Sequence, residues 1–241
     1  MEAMIFAAGL GTRLEGETAD KPKALVDVGR KPLIQHAIEK LVNAGASKIV
    51  VNVHHYAELL TGFIKGHSWG VDVQVSDESG RLLETGGGLK KAAPLFSGKE
   101  AILIYNVDIL SSLNLRLLYQ SHLESSALAT LVVRDRETSR YLKFDEEMKL
   151  SGWLNKSSGE TKISRPDVFE QSKELAFSGI QIVQPEIFEL FPSEDRFSIT
   201  DWYLELAKTK TIKGYFDASD LWMDVGKPAE LKAARKRFSV Q

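Results

Sequence analysis

The first 108 residues alternate between short apolar runs and helical patterns, and that rhythm leaves few architectures open. Residues 3–8, 48–54, 71–76 and 101–108 read as strands, rich in β-branched and other apolar side chains. Between them, residues 32–45 read as a helix entered at Pro32, a favourable first-turn residue, and closed at Gly45. Residues 56–65 suit a shorter helix. Residues 87–96 suit another, opened by a glycine run. The fourth strand, AILIYNVD, is almost continuously apolar and ends in a carboxylate, as a central parallel strand does. Strands alternating with helices of this size predict an α/β fold: a Rossmann-like, doubly wound, mixed but mainly parallel sheet with right-handed crossovers.

Beyond about residue 134 the rhythm loosens. Residues 141–155 read as a hairpin turning at 146–149, and the polar residues 156–173 as a surface loop. Residues 177–183 form a further strand, 185–191 a short helix, 199–208 another helix and 215–225 a strand. Residues 228–238 close the chain with an amphipathic helix. No repeat, low-complexity tract or linker interrupts the 241 residues, a length suited to one large domain and marginal for two. The expectation is a single domain over 1–241 with a less regular second half from 135.

Composition narrows function by exclusion. A net charge of −2 offers no basic footprint for nucleic acid or an anionic membrane. With no cysteine, disulfides, thiolate catalysis and cysteine metal sites are ruled out. No apolar run approaches the roughly twenty residues of a membrane span. The opening MEAMIFAAG lacks the cationic region of a signal peptide, so the cytoplasm is the expected location.

Residues 6–23, FAAGLGTRLEGETADKPK, carry the strongest functional signal. Ala7, Ala8, Gly9, Gly11 and Thr12 follow a buried strand with little side-chain bulk, so backbone amides can approach phosphate closely. Arg13 and Lys23 add cations on either side of a polar stretch. A dinucleotide-binding turn needs a third glycine where Leu14 stands, and a P-loop needs lysine where Glu17 stands. Glycines alone in such a place also fit a plain turn; the two cations favour a polyphosphate loop. Asp108 and Asp224, in WMDVG, each stand at a strand end, where an aspartate can cap a turn or hold Mg²⁺, an ion that takes one or two carboxylates and completes its shell with phosphates and water. Glu84, Thr85, Gly86 and Gly87 begin ETGGG, either a flexible turn or a backbone edge laid against a nucleoside.

The segment A-A-G-L-G-T-R-L followed by P-K resembles the signature loop of the sugar-1-phosphate nucleotidylyltransferases. Gly16 and Ala24 depart from the usual prolines of that signature. The resemblance implies an enzyme that transfers a nucleoside monophosphate from a nucleoside triphosphate, UTP or GTP, to a sugar 1-phosphate with Mg²⁺. It acts as a monomer or homodimer, with residues 1–134 binding nucleotide and 135–241 binding the sugar phosphate. Carried over, Arg13 and Lys23 neutralise the phosphates, Asp108 and Asp224 hold the metal, and ETGGG lines the nucleoside pocket. Phe177, Ser178 and Gly179 match the sugar-facing strand, and Asn155 stands where many members carry an acidic residue for a sugar hydroxyl. ETGGG, FSGI and WMDVG bring the chain nearest the N-acetylmuramate-1-phosphate uridylyltransferase branch and, closely after it, the mannose-1-phosphate guanylyltransferases. A nucleotide-sugar-dependent glycosyltransferase and a non-catalytic nucleotide-sugar sensor remain as readings from other classes. His54 and His55 have no evident base or nucleophile role, Arg134, Arg136 and Arg140 form a basic cluster near a sheet edge, and Trp202 and Trp222 are expected to pack.

Overall fold

The computed structural model describes residues 1–14 and 16–239. In chain order its elements are β1 (Glu2–Phe6), the short ribbon β2 (Asp27–Val28) and β3 (Lys31–Pro32), α1 (Leu33–Asn43), β4 (Lys48–Val53), α2 (Ala57–Lys65), β5 (Asp72–Asp77) and α3 (Glu84–Ala92). There follow β6 (Ile102–Asn106), β7 (Ile109–Ser111), α4 (Leu115–Glu124), β8 (Ala129–Arg134), β9 (Arg140–Phe144), β10 (Leu150–Asn155) and β11 (Thr161–Ile163). The chain closes with β12 (Lys173–Val183), α5 (Ile199–Leu206), β13 (Ile212–Phe216), β14 (Trp222–Asp224) and α6 (Pro228–Phe238).

A ten-stranded sheet runs through both halves of the chain in the order β11-β10-β9-β12-β6-β1-β4-β5, with β8 on β12 and β13 on β8. The strands β6, β1, β4 and β5 are mutually parallel, and β12 turns the sheet antiparallel at β6. Every residue of β1 is buried, because helices cover both faces. Period-two alternation divides its side chains: Ala3 and Ile5 enter one core with α1 and α6, while Met4 and Phe6 enter the other with α3 and α5. Helix α1 seals the first core with Leu33, Ile34, Ala37, Ile38 and Leu41, a stripe at helical spacing. Each such large side chain contributes roughly 1.5–3 kcal/mol on burial.

From β1 the chain steps outward to β4 and β5, then returns to lay β6 on the other side of β1. The loops leaving β1 and β6 therefore diverge, opening a crevice where doubly wound sheets bind ligands. That crevice lies between residues 7–23 and Asp108.

Several boundaries differ from the sequence reading. Helix α3 starts at Glu84, so the glycine run lies inside its first turns rather than ahead of it. The expected strand at 215–225 is two strands. Asp217 leaves the sheet to pair with Arg134 at 2.7 Å, and β14 then pairs with β7 instead. The loop at 156–173 contains β11, and β12 starts at Lys173. Elements β7, α4 and β8 went unread, although Asn114 caps α4 by accepting from the amides of Arg116 and Leu117, a legible start signal. Among the described residues, no helix is long and apolar enough to cross a membrane.

Candidate active site

The loop after β1 is fastened before it reaches the crevice. Asn52 Oδ1, from β4, accepts the amides of Ala7 and Ala8 at 2.7 and 3.3 Å, and Asn52 Nδ2 donates to Glu78 Oε1 at 2.7 Å. Burial pushes the Glu78 carboxyl up, and the bonds from Asn52 and the Leu83 amide oppose that shift. The Ala7 and Ala8 amides thus have internal partners, which corrects the expectation that they point at phosphate. Gly11 has φ +69°, and a Cβ there would sit 3.2 Å from both Lys23 Cβ and Thr18 Cγ2. Only glycine fits both the left-handed turn and the approach to Lys23. Glu17, the residue incompatible with a P-loop, turns away from the crevice and receives both Arg235 Nη atoms, at 2.6 and 2.8 Å. That bidentate pair holds its carboxyl below the ordinary range and ties the loop to α6.

The chemistry-bearing side chains converge beyond the loop. Lys23 Nζ meets Asp108 Oδ2 at 2.5 Å, with both side chains nearly buried. The ribbon of β7 and β14 brings Asp224 alongside: Asp224 pairs with Ile109, and the Val225 amide donates to the Asp108 carbonyl at 2.9 Å. A methyl group built on Gly226 would lie 2.8 Å from Arg13 Nη2, 2.8 Å from Asp224 Oδ1 and 3.3 Å from Asp108 Oδ2. Arg13, Asp108 and Asp224, from three distant stretches of chain, surround one point, and Lys23 bonds Asp108 beside it. Burial, then the charge of Asp108, pushes the Asp224 carboxyl up, while the Gly226 amide, Lys23 and Arg13 pull it down. Two carboxylates facing each other under partial compensation suit a divalent cation. Mg²⁺ takes one or two carboxylates and completes its shell with phosphates and water, so these two aspartates could supply part of that shell.

Two cavities adjoin at Ser198, and the first of them includes Lys23 and Asp108 in its wall. One, of about 340 Å³, lies over the ends of β1 and β6 and is lined by Ala8, Gly9, Lys23, Asn52, Glu84, Thr85 and Asp108 among others. The second, of about 450 Å³, is lined by Arg136, Arg140, Trp153, Asn155, Phe177 and neighbours.

The expected site residues divide accordingly. Arg13, Lys23, Asp108 and Asp224 come together, and Gly9, Glu84, Thr85, Asn155 and Phe177 line the cavities. Gly11 shapes the loop, Thr12 is exposed on it, and neither lines the cavities. Gly86 and Gly87 do not present an open edge. Their amides donate to the Phe197 carbonyl, and Cβ atoms there would sit 2.3 Å from the Phe197 ring and 2.0 Å from the Asp195 carbonyl. The glycines let residues 195–198 press onto α3, while Thr85 Oγ1 accepts from the Ile199 amide at 3.1 Å. Ser178 is fully buried. Gly179, with φ +75°, packs against Asn106 and Ile109, so both build the β12 bulge rather than a cavity wall. Trp202 packs among Phe191, Phe197 and Tyr203, as expected. His54 bonds the Glu78 carbonyl and His55 packs at a tilt against Tyr56, both outside the cavities.

Asn52, Glu78, Ser198 and Gly226 were not anticipated. The glycine of WMDVG was the one available signal, since a small residue beside a strand-end carboxylate leaves room for a third group.

The sequence model of the nucleotidyl transferase family matches residues 2–239. The chain belongs to that family. It is an enzyme, a nucleotidyltransferase, and the crevice described above is the candidate active site of that family's chemistry. Among curated relatives, N-acetylmuramate alpha-1-phosphate uridylyltransferase of Caulobacter vibrioides is 31% identical, over 98% of this chain and 96% of its own length. Mannose-1-phosphate guanyltransferase of Pichia angusta is 30% identical over 95% of this chain, which spans 62% of that longer protein. The crystal structure of HddC from Yersinia pseudotuberculosis shares the fold with a TM-score of 0.78 at 23% identity, covering 98% of this chain and 99% of its own.

Proposed function

We propose that this nucleotidyltransferase joins UTP to N-acetylmuramate α-1-phosphate, releasing pyrophosphate and forming the UDP-sugar. The observation that carries this reading is the gathering of Arg13, Asp108 and Asp224 about one point at the switch in strand order, with Lys23 bonded to Asp108. A phosphate oxygen of the sugar 1-phosphate attacks the α-phosphorus in line; the new O–P bond forms as the bond to the β-phosphate oxygen breaks. The acceptor is already ionised near neutral pH, so no general base is required. Catalysis is positioning and charge neutralisation. Lys23 exchanges its pairing with Asp108 for the acceptor and α-phosphates, and Arg13 takes the departing pyrophosphate. Asp108 and Asp224 would hold Mg²⁺, which supplies charge neutralisation of the triphosphate. The smaller cavity takes the nucleotide and the larger one the sugar, in the cytoplasm.

The choice of sugar and base rests on the match along nearly the whole length of the uridylyltransferase relative, against 62% of the guanyltransferase. Pyrophosphate release with Mg²⁺ tests it, with UTP, GTP, CTP, ATP and dTTP each paired with N-acetylmuramate-, N-acetylglucosamine-, glucose- and mannose-1-phosphate. The expected result is one dominant pair, UTP with N-acetylmuramate-1-phosphate, abolished by EDTA. Dominance of GTP with mannose-1-phosphate replaces the proposed substrates, and silence in every pairing removes the reaction.

A further inference from the structure

Of the three arginines in the basic cluster, one is accounted for within the fold. Arg134 Nη1 bonds Asp217 Oδ2 at 2.7 Å, and its Nη2 bonds the Ser219 carbonyl at 2.8 Å. Arg140 is exposed at the rim of the larger cavity. Arg136 is different. It lines the same cavity, is half-buried, and is in no ion pair with a described carboxylate. Its Nη2 donates to the Phe177 carbonyl at 3.0 Å, while its Nε is buried without a partner. Burial pulls its pKa down, and the charge of Asp224, next in size, holds it up.

The guanidinium is also held in place. It lies 4.4 Å over the Trp222 ring, whose Nε1 donates to the Ser178 carbonyl at 3.0 Å. Trp222 stands two residues before Asp224 on β14, and side chains two apart on a strand share a face. The stacked cation therefore sits on the side of β14 that carries the Asp224 carboxylate, in the wall of the larger cavity and within reach of the Asp224 charge. A guanidinium partly withdrawn from water, with an unmet donor and no direct ion-pair partner, calls for an anion. Its planar fork suits a phosphate, and stacking on indole pre-orients it.

We propose that Arg136 is the cation that receives the phosphate of the sugar 1-phosphate and holds it in line for attack. This rests on the reading of the reaction given above. The lysine beside Asn155 is engaged elsewhere: Lys156 Nζ pairs with Glu174 at 2.7 Å and lies over the Tyr141 ring, and it does not line the cavity. Arg136 instead lines the larger cavity and lies near enough to Asp224 to feel its charge, so a sugar held there can offer its C1 phosphate to both.

The test is steady-state kinetics and calorimetric binding on Arg136→Met and Arg136→Lys beside wild type. Titrants are the sugar 1-phosphate, the same sugar without phosphate, and UTP, each with Mg²⁺. Loss of a charge-assisted contact is expected to raise KM and Kd for the sugar 1-phosphate about tenfold to a hundredfold in Arg136→Met. Arg136→Lys should recover part of that loss. Affinity for UTP and for the unphosphorylated sugar should stay within about twofold, and the melting temperature should be kept. Should Arg136→Met fail to fold, Arg136→Gln and Arg136→Lys carry the same comparison. Unchanged affinity for the sugar 1-phosphate, or an equal loss for the unphosphorylated sugar, overturns the role of Arg136. If wild type turns over a different sugar 1-phosphate with the same dependence on Arg136, the substrate assignment fails while the role of Arg136 stands. If wild type binds no sugar 1-phosphate, both fall.

Discussion

Gly226 is the residue on which the geometry of the site is most finely balanced. Any Cβ there enters the space shared by Arg13, Asp224 and Asp108, with contacts of 2.8–3.3 Å. Gly226 is not among the positive-φ glycines, so alanine meets a side-chain obstacle and no backbone strain. Gly226→Ala is expected to lower turnover about a hundredfold, the scale of losing one well-placed charge-stabilising group, while the urea midpoint moves little. A variant with wild-type turnover contradicts the convergence. At this scale the sequence was informative where charge and motif coincide: it singled out Arg13, Lys23, Asp108 and Asp224, which the fold brings together. Asn52 and Glu78 were not, because an asparagine inside an apolar strand gives no sign that its amide will hold the loop of another strand. Gly226 gave only a faint sign, the small residue after a strand-end carboxylate, since its importance lies in what surrounds it after folding.

Among the elements, the loop after β1 and the start of α3 show how local signals can point to the wrong partner. ETGGG reads as an open glycine edge, yet the structure uses it to seat residues 195–198. A glycine run announces a close approach without saying whether ligand or protein approaches. Gly87→Ala would place a Cβ 2.0 Å from the Asp195 carbonyl, a backbone atom that cannot swing away. It should destabilise the protein by about 1–3 kcal/mol in urea unfolding, as overpacking does; unchanged stability contradicts the packing role. The Glu17–Arg235 pair makes a different expectation. Both side chains are about two-fifths exposed, so the pair adds under about 1 kcal/mol to stability. Its work is local, holding the loop against α6. Arg235→Ala should leave the melting temperature almost unchanged while speeding tryptic cleavage after Arg13; equal cleavage rates contradict the tie.

Across the whole molecule, the parallel half was legible because burial on both faces writes itself as continuous apolar runs. The second half was less so: β13 and β14 read as one strand because an ion pair, Asp217 with Arg134, bends the chain between them. One buried group also links the fold to pH. His122 on α4 is fully buried, bonded through Nδ1 to Thr130 Oγ1 at 2.7 Å with Nε2 unpartnered, and burial pushes its pKa down to about 4. The unfolded chain takes up that proton near the ordinary 6.5, so its contribution is complete above that value and is lost as pH falls towards 4. Between pH 7.5 and 5 this amounts to about 2 kcal/mol, and His122→Leu should flatten that part of the urea-denaturation profile. An identical profile in the variant contradicts the assignment. The central claim concerns the crevice between β1 and β6, and Lys23→Ala tests it most directly. Its pyrophosphate release from UTP and the sugar 1-phosphate with Mg²⁺ should fall about 10²- to 10³-fold below wild type, with the circular dichroism spectrum retained. Turnover near the wild-type rate would place the chemistry elsewhere on the molecule.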